Sequence, residues 1–202
     1  MVYHLKRVNR KLGNVILLIG AFCLPGFAWG EVSLQHQARI EDFHATLIEA
    51  MQISDIAARE VLLAEKVSPL FDTQRIAAVS LGRTWRGLSE KRRAAFLDLL
   101  SELIVATYAD RFDKFSNLKF ITEQVTPVKS GYVVQTRLVR SNGESVKLDY
   151  LLRNGRVFNV VADGVSDLSL RRADYNSVIK TEGYEALLDH MRKKISLARA
   201  DN

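Results

Sequence analysis

Residues 131–162 read GYVVQTRLVRSNGESVKLDYLLRNGRVFNVVA, and this stretch decides the fold. Glycine recurs at 131, 143 and 155, each time preceded by Ser or Asn, so turn dipeptides fall every twelve residues. Asn-Gly supplies the positive φ angles that a tight hairpin needs. Between the turns the pattern alternates. Tyr132, Val134, Thr136 and Leu138, then Val146, Leu148, Tyr150 and Leu152, oppose Gln135, Arg137, Lys147, Asp149 and Arg153. One oily and one polar face predict an antiparallel sheet covered on one side only. Residues 117–163 therefore read as a four-stranded β-meander whose fourth strand, 157–162, is apolar on both faces and so expected to be more central.

Working outward, residues 33–116 are helical in pattern. Ile40, Phe43, Leu47 and Met51 recur at helical spacing, and a second helical run over 56–63 heads toward Ser68-Pro69, where it should end. Asp72 is an N-cap for a short helix ending near Gly82. The longest stripe follows Ser89: Phe96, Leu99, Leu100, Leu103, Ile104, Thr107, Tyr108 and Phe112, which must face something large and apolar. After the sheet, one helix is expected around 168–180 and another from Thr181, with Tyr184, Leu187, Leu188, Met191 and Ile195 on its buried face. Helices segregated from an antiparallel sheet make an α+β fold.

The amino terminus has the layout of a secretory signal peptide. Lys6, Arg7, Arg10 and Lys11 precede an apolar run from Val15 to Leu24, and Ala28-Trp29-Gly30 offers small residues for cleavage after Gly30. The run is short for a span of ~20 residues, although an uncleaved anchor is the alternative. Cys23 follows Phe22, where acylation of a lipoprotein would need a small residue. The leader holds four of the 29 basic residues and none of the 23 acidic ones, so its removal takes the net charge from +6 to +2. The excess charge that would suggest nucleic-acid binding is thereby discarded. The single cysteine goes too, leaving 172 of 202 residues as one domain, 31–202, without disulfide, thiol nucleophile or thiolate metal site.

No constellation carries catalysis. His36, His44 and His190 are not at metal-ligand spacing, and HExxH, GxSxG, Walker and GxGxxG patterns are absent. Asp149 and Asp163 flank the last two strands and would make an acid/base pair only if buried. The alternation places Asp149 in water. No metal, cofactor or enzymatic activity is expected.

Several motifs resemble, in order, those of the MlaC/toluene-tolerance family of periplasmic lipid-binding proteins. They are Leu81-Gly82-Arg83-Thr84-Trp85-Arg86, the long helix with Thr107-Tyr108-Ala109, the strand 146–152 with Asp149-Tyr150, and 157–166 ending in Asp163-Gly164-Val165-Ser166. The resemblance covers about residues 35–197. Phe43-His44-Ala45-Thr46-Leu47, Thr136-Arg137-Leu138-Val139-Arg140-Ser141 and the Arg171-Arg172 pair are most similar to the hopanoid-associated branch, HpnM. Asn159 stands where the family usually has Asp, and Glu90-Lys91 replaces its usual Pro-Glu.

The resemblance implies a periplasmic, monomeric shuttle holding acyl tails between sheet and helices. It would exchange them with an inner-membrane ABC-type transporter and an outer-membrane lipoprotein complex. The cargo would be a phospholipid or a hopanoid-type lipid, with no nucleic-acid partner. Burial gives ~0.8 kcal/mol per methylene, so much of a chain must enter to leave a membrane. The implied lining is Leu100, Ile104, Tyr108, Phe112, Val134, Leu138, Leu148, Tyr150, Leu152, Val160 and Val165; a closed core would show the same periodicity. Lys91, Arg92 and Arg93 sit in the first turn of the long helix, where the macrodipole disfavours cations by ~0.3–1 kcal/mol each, with Arg83 and Arg86 nearby in sequence. They are either a solvated face or a docking patch for anionic headgroups or an acidic transporter surface. An interaction module without cargo and a cone-shaped α+β enzyme are the other function classes.

Overall fold

The computed structural model describes residues 26–112 and 117–200, with side chains from Glu31 onward. The basic segment and apolar run of the expected leader lie outside the described residues. The first helix is described from Gly26, ahead of the expected cleavage after Gly30. Among the described residues no helix is long and apolar enough to cross a membrane.

Among the described residues, seven helices and five strands follow in the order α1 (Gly26–Ala50), α2 (Ile56–Leu70), α3 (Thr73–Leu81), α4 (Arg83–Gly87), α5 (Glu90–Arg111), β1 (Lys119–Val128), β2 (Gly131–Val139), β3 (Ser145–Arg153), β4 (Arg156–Ala162), β5 (Val165–Ser166), α6 (Asp167–Glu182) and α7 (Tyr184–Ala200). The α+β class holds. The sheet is antiparallel in the order β1-β2-β3-β4-β5, with five strands instead of the expected four. The extra strand is two residues long and forms because the Asp163-Gly164 turn, both residues at positive φ, folds Val165–Ser166 back on β4.

Local chemistry explains the boundaries. Asp72 accepts from the Arg75 amide at 3.0 Å and Gly82 takes φ 56, so α3 starts and stops where its caps stand. Ser89 caps α5 by accepting from the Arg92 amide at 3.4 Å. Pro69 falls in the last turn of α2, which ends one residue later. Asn154 and Gly155, at φ 50 and 73, make the two-residue β3–β4 hairpin.

The expectation that β4 is more central is not met, since only the two-residue β5 lies beyond it. Its two-sided apolarity has another cause. Leu151 and Leu152 pair with Asn159 and Val157, so Phe158 is an extra, bulged residue. Val157 is fully buried under the α2–α3 junction, where the Asp72 amide donates to its carbonyl at 2.8 Å.

Two layers result. The closest helical neighbours of the sheet are α1 on the β1–β2 side and α3 and α6 on β4, whereas α5 packs chiefly on α7, α2 and α3. The long helix is thus held off the centre of the sheet by the helices on either side of it. Its stripe divides accordingly. Phe96, Leu100 and Leu103 are buried in the helical layer, with Phe96 edge-on to Tyr175 at 6.1 Å and Trp85 at 6.3 Å.

Candidate functional site

The gap between α5 and the sheet is a cavity of about 500 Å³, within the range of ligand-sized pockets. Leu138 of β2, Val146 and Leu148 of β3, and Phe158 to Val160 with Ala162 of β4 form one wall. Ile104 and Tyr108 of α5, with Phe112 just after it, form the other, with Ile76 of α3, Phe71 and Leu118 between them and Val165, Leu168 and Leu170 at the β5–α6 side. The lining is mostly aliphatic and aromatic, with Thr107, Arg111, Arg140, Asn159, Asp167 and Arg171 as polar additions.

An aromatic cluster forms the floor. The Tyr108 ring meets Phe43 edge-on at 5.1 Å, lies 5.8 Å from Phe71 and stacks on Phe112 at 6.2 Å. Burial pushes the Tyr108 hydroxyl well above the usual phenol range, so it stays neutral in the cavity wall.

Behind that floor the fold is closed. His44 of α1 stacks on Phe120 at 3.9 Å between centroids, and its Nε2 lies 2.9 Å from the Tyr150 hydroxyl. Burial brings the His44 pKa down to about 3, so the ring is neutral at pH 7 and the Tyr150 hydroxyl can donate to it. Val134, Thr136 and Leu152 are buried nearby, and the Thr136 hydroxyl donates to the Leu148 carbonyl at 3.0 Å.

These geometries sort the sequence-derived lining. Ile104, Tyr108, Phe112, Leu138, Leu148, Val160 and Val165 come together around the cavity. Leu100, Val134, Tyr150 and Leu152 do not; all four are closed core, at 0 to 1 % exposure. Leu100 faces the other helices, and the remaining three are covered at the end of the sheet where α1 lies against it. Sequence reasoning passed over Phe71, Ile76 and Phe158, which reach the cavity through a bridge to β4, a short helix and a bulge. Periodicity alone signals none of the three.

The basic cluster also divides. Arg93 donates to the Trp85 and Arg86 carbonyls at 3.1 and 3.0 Å and lies over the Trp85 ring, capping the end of α4. Arg92 pairs with Glu185 at 2.7 Å. Two of the three cations at the start of α5 therefore have internal partners, which offsets their unfavourable place on the dipole. Arg83, Arg86 and Lys91 have exposed side chains without such partners among the described residues. Lys91 stands roughly 25 Å along α5 from Tyr108, at 1.5 Å per residue, and none of the three lines the cavity.

Asn159 acts as a cap. Its Oδ1 accepts from the Ser166 hydroxyl and the Leu168 amide, both at 3.1 Å, at the start of α6. The amide thus supplies the acceptor that Asp would supply at this position, without its charge.

Neither carboxylate of the considered acid/base pair lines the cavity. Asp149 is on the opposite sheet face, 20 % exposed and 3.4 Å from Lys147 Nζ, so it is more covered than the alternation implies. Asp163 accepts from the Lys147 amide at 2.8 Å in its turn. Among the described residues no group of three or more His, Cys, Asp or Glu could hold a metal ion.

The family model described as MlaC protein matches residues 39–193. The chain belongs to the MlaC family. The matched span runs from α1 to α7 and takes in both walls of the cavity. No curated protein matches significantly. Among solved structures, the chain is similar to one described as a phospholipid-binding protein from Ralstonia solanacearum in complex with a phospholipid. The identity is 19 %, the alignment covers 82 % of this chain and 97 % of that one, and the TM-score is 0.69. At that identity the likeness establishes the shared fold.

The neutral His44 gives a pH signature. Its folded pKa of about 3 lies below the unfolded value near 6.5, so the unfolded chain binds the proton first. The contribution is complete above pH ~6.5 and is lost as the pH falls toward 3, at up to ~1.4 kcal/mol per pH unit. Between pH 7 and 5 the wild type should lose about 2 kcal/mol more than His44→Gln, which keeps a polar partner for Tyr150 without titrating there. Urea midpoints at the two pH values measure this; equal losses would mean that His44 is not held neutral.

Proposed function

We propose that the protein is a periplasmic lipid carrier that encloses acyl chains in the cavity between α5 and the sheet. The observation that carries this reading is the cavity itself, about 500 Å³ with a mainly apolar lining, in a chain of the MlaC family. The Ralstonia protein holds a phospholipid on the same fold, which supports a lipid as the occupant. The role is binding and release without turnover. The cavity's one carboxylate among the described residues, Asp167, is paired with Arg171 at 3.1 Å.

The rest of the reading follows from the sequence. Residues 1–30 are a cleaved export signal, 31–202 form one lipid-binding domain that works as a monomer, and the closest branch is HpnM. Exchange takes place with an inner-membrane transporter and an outer-membrane lipoprotein. Arg83, Arg86 and Lys91 offer the transporter a basic surface that would steer encounter electrostatically. The double charge reversal Arg86→Glu with Lys91→Glu should weaken transporter binding at low salt by roughly tenfold while leaving lipid content intact. A pull-down with unchanged binding would remove these residues from the interface. Arg93 is unsuitable for this test, because its reversal also removes the cap on α4.

Carrier activity itself is tested by transfer of labelled phospholipid from donor to acceptor vesicles. The protein should accelerate transfer in proportion to its concentration. A protein that binds lipid without accelerating transfer would be a store or sensor, not a carrier.

A further inference from the structure

A second hollow, of about 360 Å³, adjoins the apolar cavity. Thr107, Arg111, Asp167, Leu170 and Arg171 line both, so the two meet where the end of α5 faces the start of α6. The second hollow exchanges the aliphatic sheet wall for Asp174, Tyr175 and Lys194.

Its charges are unevenly used. Asp174 is held by Lys194 at 2.8 Å, with His190 Nε2 3.7 Å away. Asp167 is held by Arg171 at 3.1 Å, and Arg171 also donates to the Tyr175 hydroxyl at 3.1 Å. What remains open is cationic. Arg111 has an exposed side chain with no hydrogen-bond or ion-pair partner among the described residues. The Nε of Arg171, on a side chain only 13 % exposed, is buried and has no hydrogen bond among the described residues. A cation in the last turn of α5 is favoured by the helix dipole, but the dipole does not account for an open donor on neighbouring α6. Unmet guanidinium donors at the mouth of an apolar cavity suit a tetrahedral oxyanion, which accepts several charge-assisted hydrogen bonds at once. An ammonium group is less well served, because Asp167 and Asp174 each already pair with an internal cation, Arg171 and Lys194.

We propose that this second hollow seats the phosphate of the cargo's headgroup between Arg111 and Arg171, and that it makes the protein select net-anionic phospholipids over zwitterionic ones. The inference rests on the carrier reading and adds the headgroup class to it. With the tails in the apolar cavity, the glycerol lies at the shared wall. A zwitterionic headgroup would bring its ammonium against Arg111 and Lys194, whereas an uncharged polycyclic lipid would leave the open donors unmet.

The test loads protein, produced from the full-length chain and stripped of lipid, from vesicles of phosphatidylglycerol or phosphatidylcholine with identical acyl chains. Native mass spectrometry counts the bound lipid. Wild type should take up phosphatidylglycerol in roughly tenfold preference, because the phosphate is common to both lipids and only the choline ammonium is set against Arg111. Arg111→Gln, at an exposed helix end where folding is not at stake, should bring the preference within about twofold while phosphatidylcholine still loads. Arg111→Lys, which keeps the charge without the guanidinium fork, should fall between. Lys193→Gln, which removes one charge away from both hollows, should match wild type. Equal uptake by wild type, or a full preference retained in Arg111→Gln, overturns the headgroup seat and leaves the carrier reading standing. Uptake of neither lipid overturns both.

Discussion

Leu138→Trp should leave the protein folded and unable to load lipid. Leu138 is half-buried, pairs across the sheet with Phe120 and Val146, and presents its side chain to the cavity. An indole there enters open volume, so the overpacking penalty of ~1–3 kcal/mol that applies in a filled core is largely avoided. The melting temperature should stay within roughly 2–4 °C of wild type, equivalent to about 1 kcal/mol for a chain of this size. Bound lipid should fall by at least about tenfold, since each methylene kept out of the cavity forfeits ~0.8 kcal/mol. Leu152→Trp is the informative contrast. Leu152 is 1 % exposed and does not line the cavity, so its replacement should carry the full overpacking cost. Leu138→Trp protein that melts normally and carries wild-type lipid would exclude this cavity as the acyl site.

Arg59→Met should be the most destabilising single change in the helical layer. Arg59 lies on α2 at 2 % exposure, its Nε and Nη2 donating to the Ile53 carbonyl at 3.1 and 2.9 Å and its Nη1 to the Ala109 carbonyl at 2.6 Å. Ala109 is among the last carbonyls of α5, which lack intrahelical partners. The guanidinium therefore ties the α1–α2 turn to the end of α5 that walls the cavity. Methionine keeps most of the stem and loses the donors, leaving buried carbonyls unmet at a cost of about 3–5 kcal/mol. Thermal melting should drop by roughly 10 °C, with lipid loading impaired in the folded fraction. A drop equivalent to less than about 1 kcal/mol would mean that water replaces the lost donors.

Arg59 also shows where sequence reading stops. It falls four and eight residues before Leu63 and Val67, on the buried face of α2, so the spacing carried the signal. A charged residue on an oily face is nonetheless easily taken for its edge. The sheet was legible because Asn142-Gly143 and Asn154-Gly155 specify their turns locally. The short α4 and the two-residue β5 were not, because so few residues carry no periodicity. Part of the candidate site was hidden for a different reason. Tyr150 and Leu148 alternate identically along β3, yet one is sealed beneath His44 and the other faces the cavity. The difference lies in how far α5 stands from each part of the sheet, a distance set by α1 on one side and α3 and α6 on the other. No local pattern encodes that distance. Arg111 was passed over, and Arg171 was read only as a mark of the family branch, since the two meet only once α6 folds back past the end of α5.

The central claim is that a lipid fills the cavity, and native mass spectrometry of protein purified from the periplasm without detergent, followed by solvent extraction, tests it most directly. The account predicts one lipid per protein in the wild type and empty protein in Leu138→Trp. A well-folded wild type that carries no lipid, and acquires none from vesicles, would contradict it and reduce the cavity to a packing feature of an interaction module.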